Sequence, residues 1–532
     1  MAASATAGKV LLISVNRCAI PDPVFPLGLA YLTSALRRAG YETLWADALA
    51  GGEKIEETLA RYRPDAVGIS LRNIDDAAIL RRETYYDGVP TLCEVVRRSC
   101  GSPVILGGSG FSLFPRQLLE RSGADYGVCG EGETSIVMLL DALRGGGKMS
   151  EIPGLVHRED GRVVVNPQVF QEPTPAVEPG IENSSLRLCP RLMEAGPAGS
   201  GVHGGVRMVN CPENSRVSSI SDPETRSEPA AARLDWRREA TEEQDRPAGV
   251  AGYYVKTAGM LNVQSQRGCP YRCCYCSYPL VEGARQRRRS ADAVAEEFEQ
   301  LERLGARYVF IVDSIFNSSH GHVTETCEAL LRRGNKLPWC CFLRPKGLTP
   351  ELMALMKRAG LAYIDYGSDS FCDETLAAYQ KDLTFEDVRR SSELAAREKI
   401  PFCHFLICGG PGETAETMRR SYEASLSIAG GVILAVIGMR IYPETPLHRR
   451  AIAEGVIGAD SDLLEPAYYL APGLTAQSVS AQLAEFSRLS PNWIVGDPVP
   501  EYLAQVERLR RKGIAGPLWS HIATLQRLRP RG

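Results

Sequence analysis

Three cysteines stand close together near the middle of this chain, in the run Arg-Gly-Cys-Pro-Tyr-Arg-Cys-Cys-Tyr-Cys that begins at residue 267. Cys269, Cys273 and Cys276 have Cys-x3-Cys-x2-Cys spacing. Thiolates bind iron–sulfur clusters, and a four-iron cluster normally takes four of them. A short loop that offers three leaves one iron open to an exogenous ligand. The spacing therefore predicts that these three cysteines are the metal ligands of a [4Fe-4S] cluster that takes part in catalysis.

A structural zinc site, or a group of buried core thiols, is the alternative for the same run. Free cysteine is a common small core residue, and a zinc knuckle needs a second pair of ligands at some distance. His320 and His322 lie far downstream, and Cys340 and Cys341 are adjacent in an apolar run that is typical of a strand. Because no partner pair follows at a useful spacing, the cluster is favoured.

Composition bounds the kind of protein. A chain of 532 residues predicts about two to four domains, and 44% hydrophobic with 23% charged residues is typical of a globular enzyme. The net charge of -3 provides no basic field for a nucleic acid. No run approaches the roughly 20 apolar residues that span a bilayer, and no signal peptide is recognisable. Sixteen scattered cysteines fit a reducing compartment. We therefore expect a cytoplasmic enzyme with a small-molecule substrate and no nucleic-acid or membrane partner.

The first 150 residues alternate short apolar runs with amphipathic helical stretches, which is typical of an α/β fold whose parallel sheet is covered by helices. Strands are predicted at 10–15, 42–47, 66–70, 104–107 and 126–129, and helices at 27–39, 54–62, 89–99 and 115–122. Five such units predict a doubly wound, flavodoxin-like domain at 1–150. Folds of this kind bind ligands at the carboxyl ends of their strands.

The composition changes after this domain. Within a linker at 151–260, the stretch from about 172 to 250 is rich in Pro, Ser, Glu, Gly and Arg, which predicts a disordered or lineage-specific insertion. Six further strands are predicted at 262–266, 308–313, 339–344, 363–369, 402–408 and 432–441, separated by helices. Six βα units at 261–455 are too few for a closed eight-stranded barrel. Residues 456–532 are expected to form a small C-terminal cap, whose Trp493, Tyr502 and 513–519 stretch pack the barrel mouth or line a pocket.

The cysteine loop resembles the cluster-binding loop of the radical S-adenosylmethionine (radical SAM) superfamily, including the aromatic Tyr275 just before the third cysteine. The resemblance implies an open, six-stranded (β/α)6 partial TIM barrel with the cluster loop after its first strand. It also implies that the amino and carboxylate groups of SAM bind the open iron. One electron from an external reductant, of flavodoxin or ferredoxin type, would then cleave SAM to methionine and a 5′-deoxyadenosyl radical.

The same resemblance implies SAM contacts at the ends of the second and third barrel strands. An acidic or polar residue in the second position meets the SAM ammonium group in that family, and Asp313 or Ser314 takes this place. Many relatives have two adjacent acids there, so Ser314 is a departure. Arg344 ends the third strand, where a forked guanidinium can pair with the SAM carboxylate. A salt bridge at the rim is the alternative for Arg344.

Two more contacts are implied at the ends of the fourth and fifth strands. Asp369 lies in Tyr-Gly-Ser-Asp-Ser, which resembles the family's Gly-Ile-Glu-Ser, whose acid contacts the ribose. Gly409 and Gly410 begin Gly-Gly-Pro-Gly-Glu-Thr, which matches a family segment that helps to hold the adenosine. Glycine allows a backbone to approach a ligand closely. A single glycine-rich turn has little specificity, but these features occur in order, each at a strand end.

The N-terminal domain resembles the cobalamin-binding domain that precedes the barrel in one radical SAM subclass. The resemblance rests on the run Pro-Asp-Pro-Val-Phe-Pro-Leu-Gly from residue 21, on Gly107, Gly108 and Ser109 after the fourth strand, and on Gly130 and Glu131 after the fifth. It implies that these two loops contact the corrin and its nucleotide tail. A generic flavodoxin-like domain would show similar glycines and is the alternative.

One departure from many cobalamin proteins concerns the lower axial ligand. Those proteins supply a histidine from an Asp-x-His-x-x-Gly motif, but the first histidine here is His157, beyond the domain. The lower face of the corrin is then expected to meet the loop of Leu71, Arg72 and Asn73. Arg72 would disfavour axial ligation of the cobalt, and axial ligation is one of the levers a protein has over such a metal. A phosphate or surface contact is equally open for Arg72.

Together these resemblances imply a cobalamin-dependent radical SAM enzyme. The most frequent activity of that subclass is transfer of a methyl group from SAM, via methylcobalamin, to an unactivated carbon or to phosphorus of a small molecule or natural-product intermediate. Two alternatives stay open: a non-methylating enzyme that performs cyclisation, ring rearrangement or transfer of another SAM fragment, and a cobalamin or redox sensing module without turnover. The sequence does not identify the substrate, for which His404, Arg440 and Tyr442 on late strands are candidate contacts.

Overall fold

Short strands and helices alternate in the first part of the chain, as its apolar runs predict. The computed structural model describes residues 7–19, 22–170, 241–495, 508, 509, 512 and 516–527. The strands of the first sheet are β1 (Gly8–Ser14), β2 (Tyr41–Asp47), β3 (Ala66–Ser70), β4 (Val104–Gly107), β5 (Tyr126–Val128), β6 (Leu155–Glu159) and β7 (Arg162–Val165). The accompanying helices are α1 (Leu27–Arg38), α2 (Ile55–Tyr62), α3 (Val89–Ser99), α4 (Ser109–Leu113), α5 (Pro115–Ser122) and α6 (Glu133–Leu143).

The first sheet has the order β2-β1-β3-β4-β5-β6-β7. β1 to β5 pair in parallel, in the order of a doubly wound, flavodoxin-like domain. β6 and β7 add an antiparallel hairpin at one edge, which the sequence pattern did not predict. The interior strand β1 is buried because its apolar residues meet helices on both faces of the sheet. The loops after β3, β4 and β5 therefore lie side by side at one edge of the sheet.

A second parallel sheet follows in the other part of the chain. Its strands and the short hairpins beside it are β8 (Met260–Val263), β9 (Gln266–Arg267), β10 (Arg287–Arg288), β11 (Tyr308–Ile311), β12 (Trp339–Leu343), β13 (Leu361–Asp369), β14 (Phe402–Cys408), β15 (Val432–Ile437), β16 (Met439–Arg440), β17 (Tyr468–Tyr469) and β18 (Trp493–Val495). The helices are α7 (Ala248–Ala258), α8 (Tyr278–Glu282), α9 (Ala291–Arg303), α10 (His320–Arg332), α11 (Pro350–Arg358), α12 (Asp373–Ala378), α13 (Phe385–Arg397), α14 (Ala415–Ser425), α15 (Pro446–Ala453), α16 (Ala476–Leu489) and α17 (Leu518–Arg527).

The second sheet has the order β18-β15-β14-β13-β12-β11-β8, with every pair parallel. The six predicted strands are present, and β18 adds a seventh that the prediction had left in the C-terminal cap. Trp493 begins β18 and packs its ring against Phe486 and Tyr422, so it fills the core and does not line a pocket. The helices follow from local signals such as the capping box of Thr384 and Asp387 at the start of α13.

Some predictions concern residues outside the described ranges. The predicted insertion at 172–250 lies there as far as residue 240, as do Tyr502 and residues 513–515. Residues 241–250, which the prediction included in the insertion, pack instead against the barrel: Thr241 donates to Glu297 through its N–H and its hydroxyl, each over 2.8 Å. Among the described residues, no helix is long and apolar enough to cross a membrane.

Candidate active site

The cysteine loop leaves the end of β8 and is folded back on itself by a short hairpin. The N–H of Cys269 donates to the carbonyl of Gly283 over 3.0 Å. Gly268 has φ 88° and lies so close to the returning chain that a Cβ there would be 2.1 Å from the carbonyl oxygen of Arg285. Only glycine fits this position. The local sequence therefore sets the path of the loop directly before the first cysteine.

The loop gathers the three predicted cluster ligands. Cys269 is buried, Cys273 and Cys276 are half-buried, and all three are free thiols. Burial raises the pKa of each thiol, that of Cys276 to about 12, and both other thiols contribute to the shift at Cys276. A bound cationic metal reverses this preference, because a coordinating thiol is deprotonated outright.

This donor set fits a [4Fe-4S] cluster. Such a cluster is held by cysteine thiolates on separate irons, so its ligands surround it and do not converge on one atom. In the part of the chain that the structure describes, no group of three or more His, Cys, Asp or Glu side chains could hold a single metal ion. The three thiols remain available to a cluster.

A lysine that the sequence analysis missed lies beside the three thiols. The ammonium group of Lys381 is 2.7 Å from the carboxylate of Asp369, and both side chains are buried. Its positive charge lowers the pKa of Cys269, Cys273 and Cys276, although burial outweighs this effect. Lys381 follows α12 and no motif marks it, so only the folded chain could reveal it.

The backbone around Lys381 is strained. Its neighbours Gln380 and Asp382 have φ 59° and 44°, and Asp369 has φ 64°. Residues other than glycine rarely adopt these values, and such strain clusters at functional sites. The N–H of Cys274 donates to the carbonyl of Tyr379 over 3.0 Å, which ties this segment to the cysteine loop. The strained segment and the loop therefore form one unit.

Asp369, the predicted ribose contact, lies next to the cluster loop. Its carboxylate accepts a hydrogen bond from the hydroxyl of Tyr275 and pairs with Lys381. Burial, followed by the charge of Asp369, raises the pKa of Tyr275 well above its usual value. The structure thus joins two predicted site residues, Tyr275 and Asp369, through a direct hydrogen bond, and it adds Lys381 to them.

Asp313 links the first two strands of the barrel. Its carboxylate accepts hydrogen bonds from the N–H groups of Ser265 and Gln266, over 2.7 and 3.2 Å, and from the hydroxyl of Ser265. Burial raises its pKa to about 7. The side chain thus ties the end of β8 to β11, and its contact with the SAM ammonium stays a prediction. The hydroxyl of Ser314 donates to the carbonyl of Gly268 over 3.0 Å, and this places it at the first cysteine.

Arg344 holds the strained segment beside the cysteine loop. Its guanidinium lies 4.2 Å from the ring centroid of Tyr271, and its Nη2 donates to the carbonyls of Lys381 and Asp382. The same Nη2 lies 3.3 Å from the carboxylate of Asp382. The ion pair with Asp382 agrees with the alternative of a rim salt bridge, and the contact of Arg344 with the SAM carboxylate stays a prediction.

The turn of Gly409 and Gly410 closes on protein groups. The N–H of Gly409 donates to the carboxylate of Glu413, and the N–H of Gly410 donates to the hydroxyl of Tyr379 over 3.1 Å. A Cβ on Gly410 would lie 2.5 Å from that hydroxyl. Burial raises the pKa of Glu413 to about 7. Gly410 is thus needed for packing against Tyr379, and the role of this turn in holding adenosine stays a prediction.

The predicted corrin loops pack tightly against each other. A Cβ on Gly108, which has φ 98°, would lie 2.6 Å from the carbonyl oxygen of Leu71. The N–H of Leu71 donates to the carbonyl of Gly107 over 2.8 Å, and the hydroxyl of Ser109 donates to the carbonyl of Arg72 over 2.9 Å. The loops after β3 and β4 therefore form one surface at the switch point of the sheet, which is where doubly wound folds bind ligands.

Arg72 belongs to this surface. Its Nε donates to the side-chain oxygen of Asn73 over 2.7 Å. Burial lowers the pKa of Arg72, and Cys18, Tyr278 and two further tyrosines partly offset this effect. Tyr278 comes two residues after Cys276. Arg72 is thus a half-buried cation near the residues that follow the third cysteine.

Glu131 connects the loop after β5 to the cluster loop. Its carboxylate pairs with Arg287 and lies 3.6 Å from Arg267. Glu133 lies 2.6 Å from Arg267 as well. These arginines flank the cysteine loop, so the acidic loop after β5 holds the cluster loop in place, and its contact with cobalamin stays a prediction. The neighbouring Gly130 has φ 73°, and a Cβ there would lie 2.7 Å from the side-chain oxygen of Gln168.

Two of the three candidate substrate contacts have structural roles. His404 is fully buried, hydrogen-bonds to Ser368 and Ser392 over 2.7 and 3.0 Å, and has its pKa lowered to about 3 by burial. Arg440 lies 2.7 Å from the buried carboxylate of Asp75 in the loop after β3. Tyr442 packs under the guanidinium of Arg440, with 5.1 Å between the guanidinium carbon and the ring centroid. Burial raises the pKa of Tyr442, and the Asp75 carboxylate and the Cys276 thiol add smaller contributions.

Comparisons with known proteins agree with this architecture. The family model of the radical SAM superfamily matches residues 263–424, and that of the B12 binding domain matches residues 13–140. The tryptophan 2-C-methyltransferase of Streptomyces laurentii is 29% identical over 460 residues, which cover 82% of this chain and 73% of that protein. The cytidylyl-2-hydroxyethylphosphonate methyltransferase of Streptomyces wedmorensis is 24% identical over 512 residues, which cover 84% and 85%.

A solved structure has the same fold. It is that of the radical S-adenosylmethionine methyltransferase TsrM from Kitasatospora setae with cobalamin and a [4Fe-4S] cluster bound. The match covers 98% of this chain and 99% of that one, with a TM-score of 0.76 and 23% sequence identity. The fold and its two matched domains define a radical SAM enzyme with an N-terminal B12-binding domain.

This chain belongs to the cobalamin-dependent radical SAM enzymes, and its cofactors are a [4Fe-4S] cluster, SAM and cobalamin. The predictions of family, fold class and cofactors are confirmed. The roles of the individual site residues stay predictions.

Proposed function

We propose that this enzyme is a methyltransferase that moves a methyl group from SAM, through cobalamin, to an unactivated carbon or to phosphorus of a small molecule. The observation that carries the proposal is the meeting of the predicted corrin loops with the cluster loop: Glu131 pairs with Arg287, and a Cβ on Gly130 would lie 3.6 Å from the carbonyl oxygen of Val281 in α8. A methyl carrier and a radical source must face one substrate for such a transfer. The carbon and phosphonate methyltransferases among its relatives support the same activity.

The chain's own residues hold and separate the reacting groups. Cobalamin supplies the methyl carrier, and the cluster with SAM supplies the one-electron chemistry. Cys269, Cys273 and Cys276 would hold the cluster, and Lys381 would offset its negative charge. Arg72 would present a cation to the lower face of the corrin and leave the cobalt without a protein ligand.

An external one-electron donor of flavodoxin or ferredoxin type is part of the proposal, because each cleavage of SAM consumes an electron. We also place the enzyme in the cytoplasm, since reduced thiolates and an oxygen-sensitive cluster need a reducing compartment. Its substrate would be a natural-product intermediate or another small molecule. L-tryptophan is the first acceptor to test, because one relative is named for it.

The test is anaerobic incubation of the reconstituted enzyme with SAM, a reductant and L-tryptophan, followed by assay of S-adenosylhomocysteine and 5′-deoxyadenosine. S-adenosylhomocysteine is the expected product of methyl donation. Formation of 5′-deoxyadenosine alone would favour a non-methylating radical enzyme, and absence of both products would favour a sensing module. Alanine at Cys273 should abolish product formation, whereas alanine at the neighbouring Cys274 serves as a matched control.

A further inference from the structure

The loop after β5 presents two carboxylates to the short hairpin that flanks the cysteine loop. Glu133 lies 2.6 Å from Arg267 of β9, and Glu131 pairs with Arg287 of β10. Arg267 and Arg287 stand opposite each other in this antiparallel hairpin. Each of the four side chains is at most 15% exposed. Two buried ion pairs therefore join the B12-binding domain to the base of the cysteine loop.

A series of hydrogen bonds continues from Arg267 to the first cysteine. The Nε of Arg267 donates to the side-chain oxygen of Gln264 over 3.0 Å, and the amide of Gln264 donates to the carboxylate of Glu282 over 3.0 Å. The second oxygen of that carboxylate accepts the N–H of Gly268 over 3.2 Å. Gly268 directly precedes Cys269. A displacement of Arg267 therefore shifts the backbone that positions the first thiol.

The other end of this series lies at the ligand edge of the first sheet. Doubly wound folds bind ligands beyond the carboxyl ends of their strands, and residues 129–132 form the loop at that end of β5. A Cβ on Gly130 of this loop would lie 3.6 Å from the carbonyl oxygen of Val281 in α8. α8 also packs against α4, the helix after β4. A ligand that contacts the loop after β5 thus meets a segment packed directly against the cluster loop.

Buried ion pairs make this connection rigid. Separation of either pair would leave a charge unpaired away from water, so each pair moves as a unit. The reduction potential of an iron–sulfur cluster depends on the charges, hydrogen bonds and solvent exposure around its ligands. We propose that Glu131 and Glu133 are positioning residues through which cobalamin binding changes the reduction potential of the cluster. The inference goes beyond the proposed methyl transfer, because it holds for any reaction that the two cofactors perform.

The test is a redox titration of the reconstituted enzyme with and without cob(II)alamin, followed by electron paramagnetic resonance of the reduced cluster. In wild type, saturating cob(II)alamin should change the ratio of reduced to oxidised cluster at a fixed potential at least about fivefold, the lower end of typical coupling between sites. Glu133→Gln keeps the size of the side chain but removes its charge, and it should reduce this change to less than about twofold. The double variant Glu133→Gln with Arg267→Gln should have the same effect, and it leaves neither charge of this pair in the interior.

Asp75→Asn is the matched control. Asp75 forms a buried pair with Arg440 over 2.7 Å, also between the first domain and the barrel, but Arg440 lies in β16 and not in the hairpin of the cysteine loop. Asp75→Asn should therefore keep the change seen in wild type, and iron and corrin content establish that each variant is folded and loaded.

The proposal is overturned if cob(II)alamin leaves the wild-type ratio unchanged, if both Glu133 variants keep the full change, or if Asp75→Asn abolishes it as well. Formation of S-adenosylhomocysteine reports on methyl transfer separately. If wild type donates methyl groups but its cluster potential does not respond to cob(II)alamin, the coupling fails while the proposed function stands.

Discussion

The buried ion pair between Arg440 and Asp75 should contribute strongly to stability, because it joins the barrel to the loop after β3. The guanidinium Nε lies 2.7 Å from the carboxylate, and the two side chains are 3% and 0% exposed. Arg440 also donates to the carbonyl of Leu463 over 2.6 Å. Arg440→Met removes the cation and leaves the Asp75 carboxylate unpaired in the interior. Loss of one partner of a buried pair costs about 3–5 kcal/mol.

The double variant separates the cost of an unpaired charge from the value of the pair. Asn at position 75 keeps the oxygen that accepts the N–H of Ala77 over 2.9 Å, but it carries no charge to bury. We therefore expect Asp75→Asn with Arg440→Met to recover about half of the loss seen in Arg440→Met alone, since replacement of a whole buried pair is often close to neutral.

Urea unfolding of the cofactor-free protein, followed by circular dichroism, measures the free energy of unfolding of each variant from the midpoint and the slope of the transition. The exposed pair of Arg332 and Asp292 is the control. Its atoms are 3.1 Å apart, with side chains 59% and 68% exposed, so Arg332→Met should cost less than about 1 kcal/mol. The reasoning is refuted if Arg440→Met costs no more than Arg332→Met, or if the double variant is as unstable as Arg440→Met.

Three further predictions concern the site. Cys269→Ala should abolish bound iron and labile sulfide, while Cys274→Ala should retain both; equal retention would contradict the ligand assignment. Burial raises the pKa of Glu413 from 4.5 to about 7, so the folded state binds an extra proton between these values and stability should fall as pH rises through them. Glu413→Gln should reduce the difference between the free energies of unfolding at pH 5 and at pH 8, measured with urea. An unchanged difference would contradict the raised pKa of Glu413. Lys381→Met removes a positive charge beside the thiols and should therefore lower the reduction potential of the cluster. We expect the ratio of reduced to oxidised cluster at a fixed potential to fall at least tenfold, which corresponds to a reduction potential lower by 59 mV for one electron. Lys346→Met, a half-exposed lysine bonded to Asp382, should leave that ratio unchanged, and an equal effect of both would refute a special role for Lys381.

Local sequence determined the elements and the cluster loop. The alternating apolar runs placed all six predicted barrel strands, and the edges of β12, β13 and β14 lie within two residues of their predictions. Cys-x3-Cys-x2-Cys and the glycine before it act within one short loop, so their spacing alone identified the three thiols. The β6–β7 hairpin and β18 escaped prediction because both are short and pair at sheet edges, where periodicity carries little signal.

Tertiary structure decided which polar groups face the site. Asp313, Arg344 and Glu131 stand at strand ends or in loops, where a sequence pattern predicts ligand contacts, yet their charges are taken up by Ser265, Asp382 and two arginines. Burial forces this outcome, because a charged group away from water must find a partner wherever the fold brings one.

The same physical reason explains what the sequence could not show. Lys381 belongs to no motif and comes to the thiols only because a strained turn holds it against Asp369. Phe310, Phe342 and Phe405 lie on three different strands, and their rings come into contact only in the folded sheet. Spacing along the chain determined the chemistry of the loop, whereas contacts between residues distant in sequence decided its charge and the shape of the space beside it.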